Sequence, residues 1–582
     1  MIRKTWRYMI ILLTLWLLIL GYMGWHLFVL VDDSNKNRDT LVRKEKHVEL
    51  LQSQNQKLKE IVSDLQAKVD LFQSKDSVKD KKYKEAIKRI QDASQRKVAA
   101  AERASRQISP HIDNSQTKLS TTLTTLDEEN LKRRIEYEVK ELWYYASAQI
   151  TKVIKRSDSS TSKRMTNILS NIEMLHHYLS NDLEKLKSMK REWQEKEHKQ
   201  LSELVQQRID KLQNPKDCAS TKKLICQLNK SCGYGCQAHH VLYCFIIAFG
   251  LQRTMIIDST GWRYSSKGWK GVFLPISKTC LQHTGTLKDW RESNTHQNVI
   301  LPIVDSLYPR PPYMPLAVPE DLSNRLSTMH GHPFVWWIGQ FAKYLFRYAP
   351  EVQKEIDAKK AKLGFQHPIV GLQVRRTDKI NTEAAFHSIE EYMYWVKLYY
   401  ERRSKVEKID TKRVFLATDD PSVLPEAKEK YPDYEFVSDV GISKSAGLGS
   451  RYTDTSLHGV IFDIQMLSEC DFLVCTFSSQ VCRLGYEIMQ SKHPDASKYF
   501  QSLDDIYYFG GQSGHNVRAI VSHTPENQDE ISLEVGDLIG IAGNHWDGYS
   551  KGHNFRTGQV GLYPSWKVEE VLETAKFPTY DD

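Results

Sequence analysis

Residues 367–379, with the sequence HPIVGLQVRRTDK, join an apolar run to side chains that could bind a phosphate and move a proton. The run ends in Arg375 and Arg376, and Glu383 follows shortly after. The planar guanidinium of arginine pairs with phosphate oxygens through two hydrogen bonds, so two arginines at the end of a strand could bind a diphosphate. A carboxylate nearby could accept a proton. The alternative is a solvated surface with ion pairs. The surrounding sequence distinguishes between a phosphate-binding site and such a surface.

Alternating strands and helices are predicted around this segment, within a head that extends from about residue 216 to 509. Repeated β-α-β units of this kind predict a parallel sheet with helices on its faces. Ligands of such sheets bind at the carboxyl ends of the strands, and Arg375, Asp419 and Ser478 all follow predicted strands. The predicted strands and helices of this region are 368–374, 413–420, 421–431, 434–438, 471–479 and a helix through Tyr486 and Met489.

Several classes of function find no support in the sequence. A G-x-G-x-x-G motif after a strand and a Walker sequence are both missing, which argues against a dinucleotide cofactor and an NTPase. The formal net charge of the 582 residues is +9, and the basic stretch 75–106 contains a single aromatic residue, Tyr83. This charge therefore does not indicate a nucleic-acid-binding protein.

The N-terminus predicts a membrane anchor. Residues 8–31 are almost wholly apolar, and a helix of that length covers the roughly 30 Å hydrocarbon core of a bilayer. Basic residues precede the segment and acids follow it: Arg3, Lys4, Arg7, Asp32 and Asp33. The positive-inside rule then predicts a cytosolic tail at 1–7, a signal-anchor at 8–31 and a lumenal remainder, as in a single-pass type II protein. A cleaved signal peptide is the alternative, but the apolar stretch is too long and lacks a clear cleavage site.

The cysteines agree with an oxidising compartment. Five of the nine fall in one short stretch, namely Cys218, Cys226, Cys232, Cys236 and Cys244, and Cys280 lies beyond it. Such crowding in a lumenal protein usually indicates disulfides, although the spacing of Cys232 and Cys236 also suggests a metal knuckle. Cys475 and Cys482 are close enough in sequence to pair locally, which leaves Cys470 as the odd thiol.

A helical stem is predicted between the anchor and the head, over residues 32–215. Two series recur every seven residues, namely Val48, Asn55, Val62 and Val69, and Leu51, Leu58, Leu65 and Phe72. Valine at one core position and leucine at the other favour a parallel two-stranded coiled coil, and hence a homodimer. A single helix packed on its own protein is the alternative.

Two further helices are predicted at about 126–154 and 165–212, packed as a hairpin or within a dimeric bundle. The second helix has its own heptad series, Ile172, Leu179, Leu186 and Trp193. Asn214-Pro215 is expected to end the stem, because proline is a poor continuation residue for a helix.

Four motifs together resemble one enzyme family. They are Cys232-Gly-Tyr-Gly-Cys236 with His239-His240, Gly261-Trp-Arg-Tyr264, Val374-Arg-Arg-Thr-Asp-Lys379 and Cys475-Thr-Phe-Ser-Ser-Gln-Val-Cys482. In order and type they resemble the α-1,6-fucosyltransferases of N-glycan core fucosylation, and the resemblance covers the whole chain. It implies a GT-B-like α/β head with a first lobe at 216–375 and a Rossmann-type donor lobe at 376–510, after a coiled-coil stalk and before an SH3-like β-barrel at 514–575.

The resemblance also implies an activity and a location. The donor would be GDP-fucose, and the acceptor would be the 6-hydroxyl of the asparagine-linked GlcNAc of an N-glycan. Transfer would invert the fucose anomeric carbon without a metal or another cofactor. The expected location is the Golgi membrane, with the head in the lumen.

Residue roles follow from the same resemblance. Glu383 matches the proposed general base, Lys379 a residue that relays or stabilises charge beside it, and Arg375 the diphosphate contact. The implied donor-binding residues are Arg375, Arg376, Gln373, Asp378, Tyr234, Tyr264, Asp463 and Ser479. The implied acceptor-binding residues are Lys230, Asp305, Asp505, Tyr508 and His545. The implied disulfides are Cys218–Cys280, Cys226–Cys244, Cys232–Cys236 and Cys475–Cys482.

Some of these residues have structural alternatives. Asp378 could form a structural ion pair, Asp463 could favour a helix dipole, and His545 could be an ordinary loop histidine. Asp419 and Asp420 look like a metal site, but their adjacency is not the spaced acidic pair of metal-dependent glycosyltransferases, so fold-supporting roles are expected. Gln373 departs from the family pattern, which has histidine there; glutamine can still donate and accept hydrogen bonds to a donor nucleotide.

The C-terminal segment from about 517 to 574 resembles an SH3 barrel in Val535-Gly-Asp-Leu-Ile-Gly-Ile541, Asn544-His-Trp-Asp-Gly-Tyr549 and Gly561-Leu-Tyr-Pro-Ser565. Ala519-Ile-Val-Ser-His523 replaces the usual aromatic start, which removes tyrosine from the groove that holds proline-rich ligands. This argues against ligand binding of the usual kind. The segment 309–315, PRPPYMP, looks like an internal SH3 ligand, but a rigid loop near the acceptor is the preferred interpretation.

Two hypotheses of different classes follow. The first is an active fucosyltransferase. The second is a membrane-tethered dimeric scaffold that keeps the fold but uses its coiled coil and SH3-like barrel for binding. Intact Arg375, Lys379 and Glu383 favour the enzyme, because a scaffold would be free to lose them.

Overall fold

The computed structural model describes residues 126–302, 307, 310–314, 316–377, 385–447, 449–509 and 516–580. The predicted cytosolic tail, signal-anchor and coiled-coil seam fall outside these residues and stay predictions.

Within the described ranges, no helix combines the length and the apolar character required to cross a bilayer.

The stem enters the described region as three helices, α1 (Leu126–Arg156), α2 (Ser159–Ser188) and α3 (Arg191–Gln213). The predicted hairpin is confirmed, because α1 and α2 pack against each other. Asp158 starts α2 by accepting hydrogen bonds from the next turn, as the N-cap of a helix does. The predicted end at Asn214-Pro215 is also confirmed, since α3 stops at Gln213.

The second predicted helix is wrong as a single element, because it is interrupted between α2 and α3. Ser188 ends α2 with its hydroxyl bonded to the Lys185 carbonyl, and Met189 at the break is 82% exposed. The interruption lets α3 turn into the head, where Leu201, Val205 and Ile209 are fully buried. The heptad series of α2 does not form a buried seam within this chain.

The first lobe is built on a small parallel sheet with the strand order β2-β1-β4-β3. Its strands are β1 (Lys223–Gln227), β2 (Thr254–Asp258), β3 (Lys288–Asp289) and β4 (Asn298–Ile300). The helix α4 (Tyr234–Gly250) connects β1 to β2 and is buried along almost its whole length. It is apolar on all sides, as expected of a helix enclosed by its own lobe. The chain continues through β5 (Ala317–Pro319), α5 (Glu320–Met329), α6 (Pro333–Leu345) and α7 (Pro350–Lys362).

The second lobe is a five-stranded parallel sheet in the order β10-β9-β6-β7-β8. Its strands are β6 (Ile369–Val374), β7 (Lys412–Thr418), β8 (Tyr434–Val437), β9 (Phe472–Cys475) and β10 (Phe500–Ser502). Its helices are α8 (Ile389–Arg403), α9 (Val423–Lys430), α10 (Val440–Ser445), α11 (Asp454–Leu467) and α12 (Gln480–Gln490). The predicted β-α-β pattern and two-lobed α/β head are confirmed.

The boundary between the lobes differs from the predicted division at residue 375. Strand β6 pairs with β7 and β9 and therefore belongs to the second lobe. The boundary lies before Ile369. Helices α6 and α12 then join the lobes at close range, since a Cβ atom at Gly339 would lie 2.6 Å from the Glu487 carbonyl oxygen.

An SH3-like barrel follows, with the antiparallel strand order β14-β13-β12-β11-β15. Its strands are β11 (Asn516–Ala519), β12 (Leu538–Asn544), β13 (Tyr549–Asn554), β14 (Val560–Pro564) and β15 (Val568–Glu570). After the barrel, β16 (Glu573–Ala575) pairs in parallel with β5 of the first lobe. The tail then packs Phe577 against Trp337 and Tyr580 against Phe249, with ring centroids 5.4 and 4.8 Å apart.

The disulfide predictions are confirmed in full. The structure joins Cys218 to Cys280, Cys226 to Cys244, Cys232 to Cys236 and Cys475 to Cys482, and Cys470 is free and buried. The metal-knuckle alternative at Cys232 and Cys236 is thereby replaced by a disulfide. In the part of the chain described here, one group of three potential metal ligands occurs, Cys226, His240 and Cys244, and its two sulfurs are joined to each other.

Candidate functional site

Three strands of the second lobe end at the same edge of its sheet. Val374 of β6 lies beside Thr418 of β7, and Gln373 lies beside Cys475 of β9. Arg375, Asp419 and Ser478 therefore follow neighbouring strands, as the sequence predicts. Ligands of parallel sheets bind at this edge.

Asp419 holds the turn that carries the arginines. Its carboxylate pairs with Arg375 Nη1 at 3.0 Å and accepts hydrogen bonds from the backbone N–H of Arg376 at 2.9 Å and of Thr377 at 3.3 Å. The Thr377 hydroxyl donates to the same carboxylate. Asp419 is buried, so these donors replace the water that an ionised carboxylate would otherwise need. The fold-supporting role predicted for this acid agrees with these contacts.

Asp420 has a separate role at the start of the next helix. Its Oδ1 accepts hydrogen bonds from the backbone N–H of Ser422 at 2.9 Å and from the Ser422 hydroxyl at 2.7 Å. These contacts hold the turn that leads into α9. Asp419 and Asp420 therefore point to different partners, and they do not converge as a pair of metal ligands would.

The two arginines have different surroundings. Arg376 Nη1 pairs with Glu426 at 2.6 Å, and its guanidinium lies 5.0 Å above the Phe386 ring. The hydrogen bond from Arg376 lowers the pKa of Glu426. Arg375 instead acts on Tyr264: burial raises the pKa of Tyr264 to about 12, and the charge of Arg375 opposes that rise. Arg375 is thus paired with Asp419 after β7, whereas Arg376 is paired with Glu426 of α9.

A cluster of tyrosine side chains lies at the contact between the two lobes. The Tyr264 hydroxyl accepts a hydrogen bond from the backbone N–H of Tyr234 at 2.9 Å. Tyr452, from the second lobe, places its ring centroid 5.0 Å from that of Tyr264 and donates through its hydroxyl to the Ser231 carbonyl at 2.8 Å. Side chains of both lobes therefore meet at this contact. Sequence analysis missed Tyr452, whose position gives no motif signal.

Two helices, one from each lobe, begin next to each other. Gly233 precedes α4 and Ser479 precedes α12, and neither makes a side-chain capping bond. A Cβ atom at Gly235 would stand 2.9 Å from the Gln480 Cβ, so the first turns of the two helices are in contact. The N-termini of helices carry unpaired N–H groups and a partial positive charge, which favour anions. The N–H groups of these two helix starts that are not already bonded could bind an anion such as a diphosphate.

Gln373 lies two residues before Arg375 and is buried. Its Oε1 atom has no hydrogen-bond partner among the residues that the structure describes. A buried carbonyl oxygen normally has a partner, so this amide has an acceptor left for a bound group. The contact expected from glutamine in place of histidine is compatible with this position.

Asp463 lies on α11 of the second lobe. Burial raises its pKa well above the usual range, the neighbouring Asp439 adds to that rise, and Lys359 opposes it. Lys359, Asp439 and Gly459, one turn earlier on α11, line a cleft of about 380 Å³. Asp463 itself does not line this cleft, and the nucleotide contact predicted for it stays a prediction.

Asp505 and Tyr508 follow β10, next to the SH3-like barrel. Burial and, to a lesser degree, the neighbouring Asp504 raise the pKa of Asp505 to about 6. Arg483 of α12 donates to the Tyr508 carbonyl at 2.7 Å and lies 3.8 Å from the centre of its ring. Arg483 thus holds the segment that carries two predicted acceptor contacts. Sequence analysis missed it, because an arginine inside a helix carries no signal of such a role.

The other predicted acceptor residues lie on separate elements. His545 is exposed in the β12–β13 loop, and its backbone N–H donates to the Tyr549 carbonyl at 3.0 Å. A Cβ atom at Gly543 would stand 3.8 Å from the Asp505 carboxylate, so strand β12 runs beside Asp505. Lys230 lies in the loop after β1, where burial lowers its pKa. Four predicted site residues fall outside the described ranges, namely Asp305, Asp378, Lys379 and Glu383.

The chain matches two family models. Residues 1–508 match the model described as "Alpha-(1,6)-fucosyltransferase N- and catalytic domains". Residues 519–569 match a "Variant SH3 domain".

Curated relatives extend over most of the chain. An alpha-(1,6)-fucosyltransferase of Drosophila melanogaster is 48% identical over 464 residues, which are 78% of this chain and 75% of that protein. An alpha-(1,6)-fucosyltransferase of Caenorhabditis elegans is 44% identical over 463 residues, which are 78% of this chain and 81% of that protein. Among solved structures, the NodZ alpha-1,6-fucosyltransferase soaked with GDP-fucose is 15% identical with a TM-score of 0.30, covering 46% of this chain and 92% of its own.

Proposed function

We propose, since this chain belongs to the alpha-(1,6)-fucosyltransferase family, that it moves L-fucose from GDP-β-L-fucose to O6 of the asparagine-linked innermost GlcNAc of N-glycans, with inversion. The observation that carries the proposal is the contact between the starts of α4 and α12, together with Arg375 at the carboxyl end of β6. Three sources of positive potential there match a leaving group that is a diphosphate.

The donor half of the reaction needs stabilisation of the departing GDP. As the bond between fucose C1 and the β-phosphate oxygen breaks, its electron pair and negative charge move to GDP. Arg375 would pair with the phosphate oxygens, and the N–H groups at the starts of α4 and α12 would add fixed dipoles. Groups placed before the reaction at the point where charge develops lower its barrier. Asp419 keeps Arg375 at that edge through its 3.0 Å ion pair.

The acceptor half needs a base. Glu383 would take the proton of the GlcNAc 6-hydroxyl while that oxygen attacks C1 from the face opposite GDP, which inverts the anomeric carbon. A carboxylate suits this role, because proton transfer to it strengthens a weak nucleophile. Lys379 would stabilise charge beside it. In this scheme side chains and backbone N–H groups handle all the charge, so neither a metal nor another cofactor is assigned a step.

The test is transfer by the soluble lumenal part of the chain. It is incubated with GDP-fucose and a GlcNAc-terminated N-glycan, with and without EDTA. Transfer to O6 that persists in EDTA is the expected result. A wild-type protein that is folded yet transfers nothing would support the scaffold hypothesis, and loss of transfer in EDTA would overturn the metal-free scheme.

Acceptor binding is expected to depend on the ionisation of Asp505. Its raised pKa of about 6 means that the carboxyl is ionised above that pH and protonated below it. An ionised carboxylate accepts hydrogen bonds from sugar hydroxyls. Between pH 7 and pH 5 the ionised fraction falls about tenfold, so the KM for the glycan should rise by up to about that factor.

The control for this pH effect is Asp505→Asn. The amide cannot ionise, so its acceptor KM should be raised at pH 7 and should not rise further at pH 5. The KM for GDP-fucose serves as the internal reference. An acceptor KM of the wild type that stays flat from pH 5 to 7 would contradict the role given to Asp505.

A homodimer through the stem is also proposed. Two apolar stripes on the α1–α2 hairpin are exposed in the single chain: Leu131, Ile135, Leu142 and Val153, and Ile168, Leu175, Leu179 and Leu186. Their spacing is helical, and a contiguous apolar stripe that faces water is typical of an interface. Together with the heptads predicted at 48–72, this supports a second copy of the chain as the partner.

A chain that begins at Lys36 is therefore expected to sediment as a dimer at micromolar concentration. Leu175→Arg with Leu179→Arg should shift it towards monomer, because two charges would have to be buried in the interface. A wild-type monomer at that concentration would rule out the dimer.

The proposed location is the Golgi membrane, with a single-pass type II topology and the head in the lumen. Two features support it: the apolar segment 8–31 with basic residues before it, and the four disulfides of the head. Disulfides persist in oxidising compartments. Protease protection of the head in sealed membrane vesicles tests the orientation, and digestion without detergent would contradict it.

A further inference from the structure

The aromatic face of the SH3-like barrel is covered by helix α1 of the same chain. Tyr144 sets its ring edge-on to Trp546, with centroids 5.8 Å apart. Tyr145 lies 5.3 Å from Trp566 and 6.4 Å from Tyr549. Grooves lined by such aromatic residues hold proline-rich peptides in SH3 domains. Here two tyrosines of a helix occupy that place.

Further contacts hold the helix there. The Tyr137 hydroxyl, two turns before Tyr144, donates to the Ser565 carbonyl at 2.9 Å. A Cβ atom at Gly548 would stand 2.8 Å from the Tyr145 Cβ, so the helix approaches the barrel backbone more closely than a side chain there would allow. Gly548 has a φ of +90°, which glycine adopts without strain. The barrel sequence is thus adapted to this helix.

Tyr144 also connects the barrel to the second lobe. Its hydroxyl donates to Gln501 Oε1 of β10 at 3.1 Å, and its ring lies edge-on to Trp395 of α8 at 6.2 Å. The side chain is only 3% exposed. Burial raises the pKa of its hydroxyl, which keeps the donated proton in place. A single side chain therefore contacts the barrel and two elements of the second lobe.

We propose that α1 is the ligand of the barrel's aromatic face and that Tyr144 is a positioning residue for the acceptor glycan. Trp546 follows His545 directly and has a φ of +53°, a conformation that a bulky residue keeps only when its surroundings hold it. Packing of Tyr144 on Trp546 holds the β12–β13 loop and with it His545, and strand β12, which leads into that loop, passes Asp505 at Gly543. This step rests on the proposed acceptor contact of His545; the docking of α1 on the barrel does not.

The test compares Tyr144→Ala and Tyr144→Phe with the wild-type lumenal chain. Alanine should raise the KM for the glycan about tenfold, the size expected for loss of a buried aromatic pair, and leave the KM for GDP-fucose unchanged. Phenylalanine keeps the ring and loses only the bond to Gln501, so it should restore most of the acceptor affinity. Tyr178→Ala, the same change on the exposed side of α2, should alter neither constant.

Hydrogen exchange of the same proteins separates the possible outcomes. Amides 544–549 should exchange faster in Tyr144→Ala than in the wild type, with both lobe sheets unchanged. Equal exchange would overturn the docking, and faster exchange with an unchanged glycan KM would overturn the positioning role. If Tyr144→Ala does not fold, Tyr145→Ala, whose half-exposed ring faces the barrel, replaces it with the same expectations.

A peptide measurement tests the covered face directly. A synthetic peptide with the sequence of residues 309–315 should not bind the wild-type chain at submillimolar concentration. Saturable binding that Trp546→Ala abolishes would show an open face and overturn the inference. Failure of the proposed function itself would appear elsewhere, as a wild-type protein that transfers no fucose.

Discussion

Replacement of Glu383 by glutamine is expected to lower kcat by about 10²- to 10⁴-fold, the usual contribution of a general base. Glutamine has nearly the same shape and keeps hydrogen-bonding capacity, but it cannot take the proton of the acceptor hydroxyl. Because the donor cleft is formed by other residues, the affinity for GDP should stay within about twofold. Initial rates of fucose transfer and calorimetric titration with GDP measure the two quantities.

Glu390→Gln is the matched control. Glu390 lies at the start of α8, seven residues further on, and pairs at the surface with Lys430 at 2.7 Å. Loss of such a surface pair has little effect, so kcat should be unchanged. A Glu383→Gln enzyme with the rate of the wild type would exclude Glu383 as the base.

Arg375→Lys is expected to reduce kcat/KM for GDP-fucose by at least about 10²-fold. Lysine keeps the positive charge but loses the planar fork that could pair with phosphate oxygens and Asp419 together. The loss should appear in kcat as well as in KM, because the charge on the diphosphate grows as the transition state forms. Steady-state kinetics at varied GDP-fucose measure both.

Two other arginines sharpen this test. Arg413→Lys changes the opposite end of β7, where Arg413 pairs loosely with Glu435 at 3.5 Å, and should leave kcat/KM unchanged. Arg376→Lys keeps the charge but loses the planar guanidinium that meets Glu426 and Phe386, and it should have a smaller effect on kcat/KM than Arg375→Lys. Equal losses of kcat/KM for Arg375→Lys and Arg376→Lys would contradict the different roles assigned to the two side chains.

The second lobe could be predicted from sequence because its strands are buried on both faces. Such strands are continuous apolar runs, as in Ile369–Val374, and polar residues after them indicate the binding edge. The extent of the lobe could not be predicted in the same way. Strand β6 pairs with β9 about 100 residues further on, and no local pattern reports such a pairing.

The residue types of the site could be predicted from the sequence. The direction in which each side chain points could not. Two consecutive arginines are equivalent in a sequence, yet Glu426, 50 residues away, binds one of them. The contact between the starts of α4 and α12 requires Gly235 and Gln480 to meet across the lobes. The order of the motifs along the chain does not show which residues meet in space. Only tertiary packing determines that.

The SH3-like barrel shows a further limit of prediction from the sequence. Its sequence lacks the tyrosine-bearing start of a peptide-binding groove, and the absence of an ordinary proline-rich ligand stays a prediction. The occupant could not be inferred, because Tyr144 and Tyr145 lie some 400 residues earlier, in a helix that reads as part of the stem. The SH3-like barrel lacks the usual tyrosine at its start, and two tyrosines of helix α1 contact its aromatic residues.

The return of β16 to β5 has a consequence for the order in which this protein is made. The first lobe comes early in the chain, but strand β5 (Ala317–Pro319) cannot pair until β16 (Glu573–Ala575) has been synthesised. The space beside Phe249 and Trp337 is filled by the residues that follow β16. The ribosome would have to translate residues 573–580 before this lobe could close. Chains that stop before residue 573 would leave an open strand edge at β5 and apolar surface near Phe249 and Trp337, and both features favour aggregation.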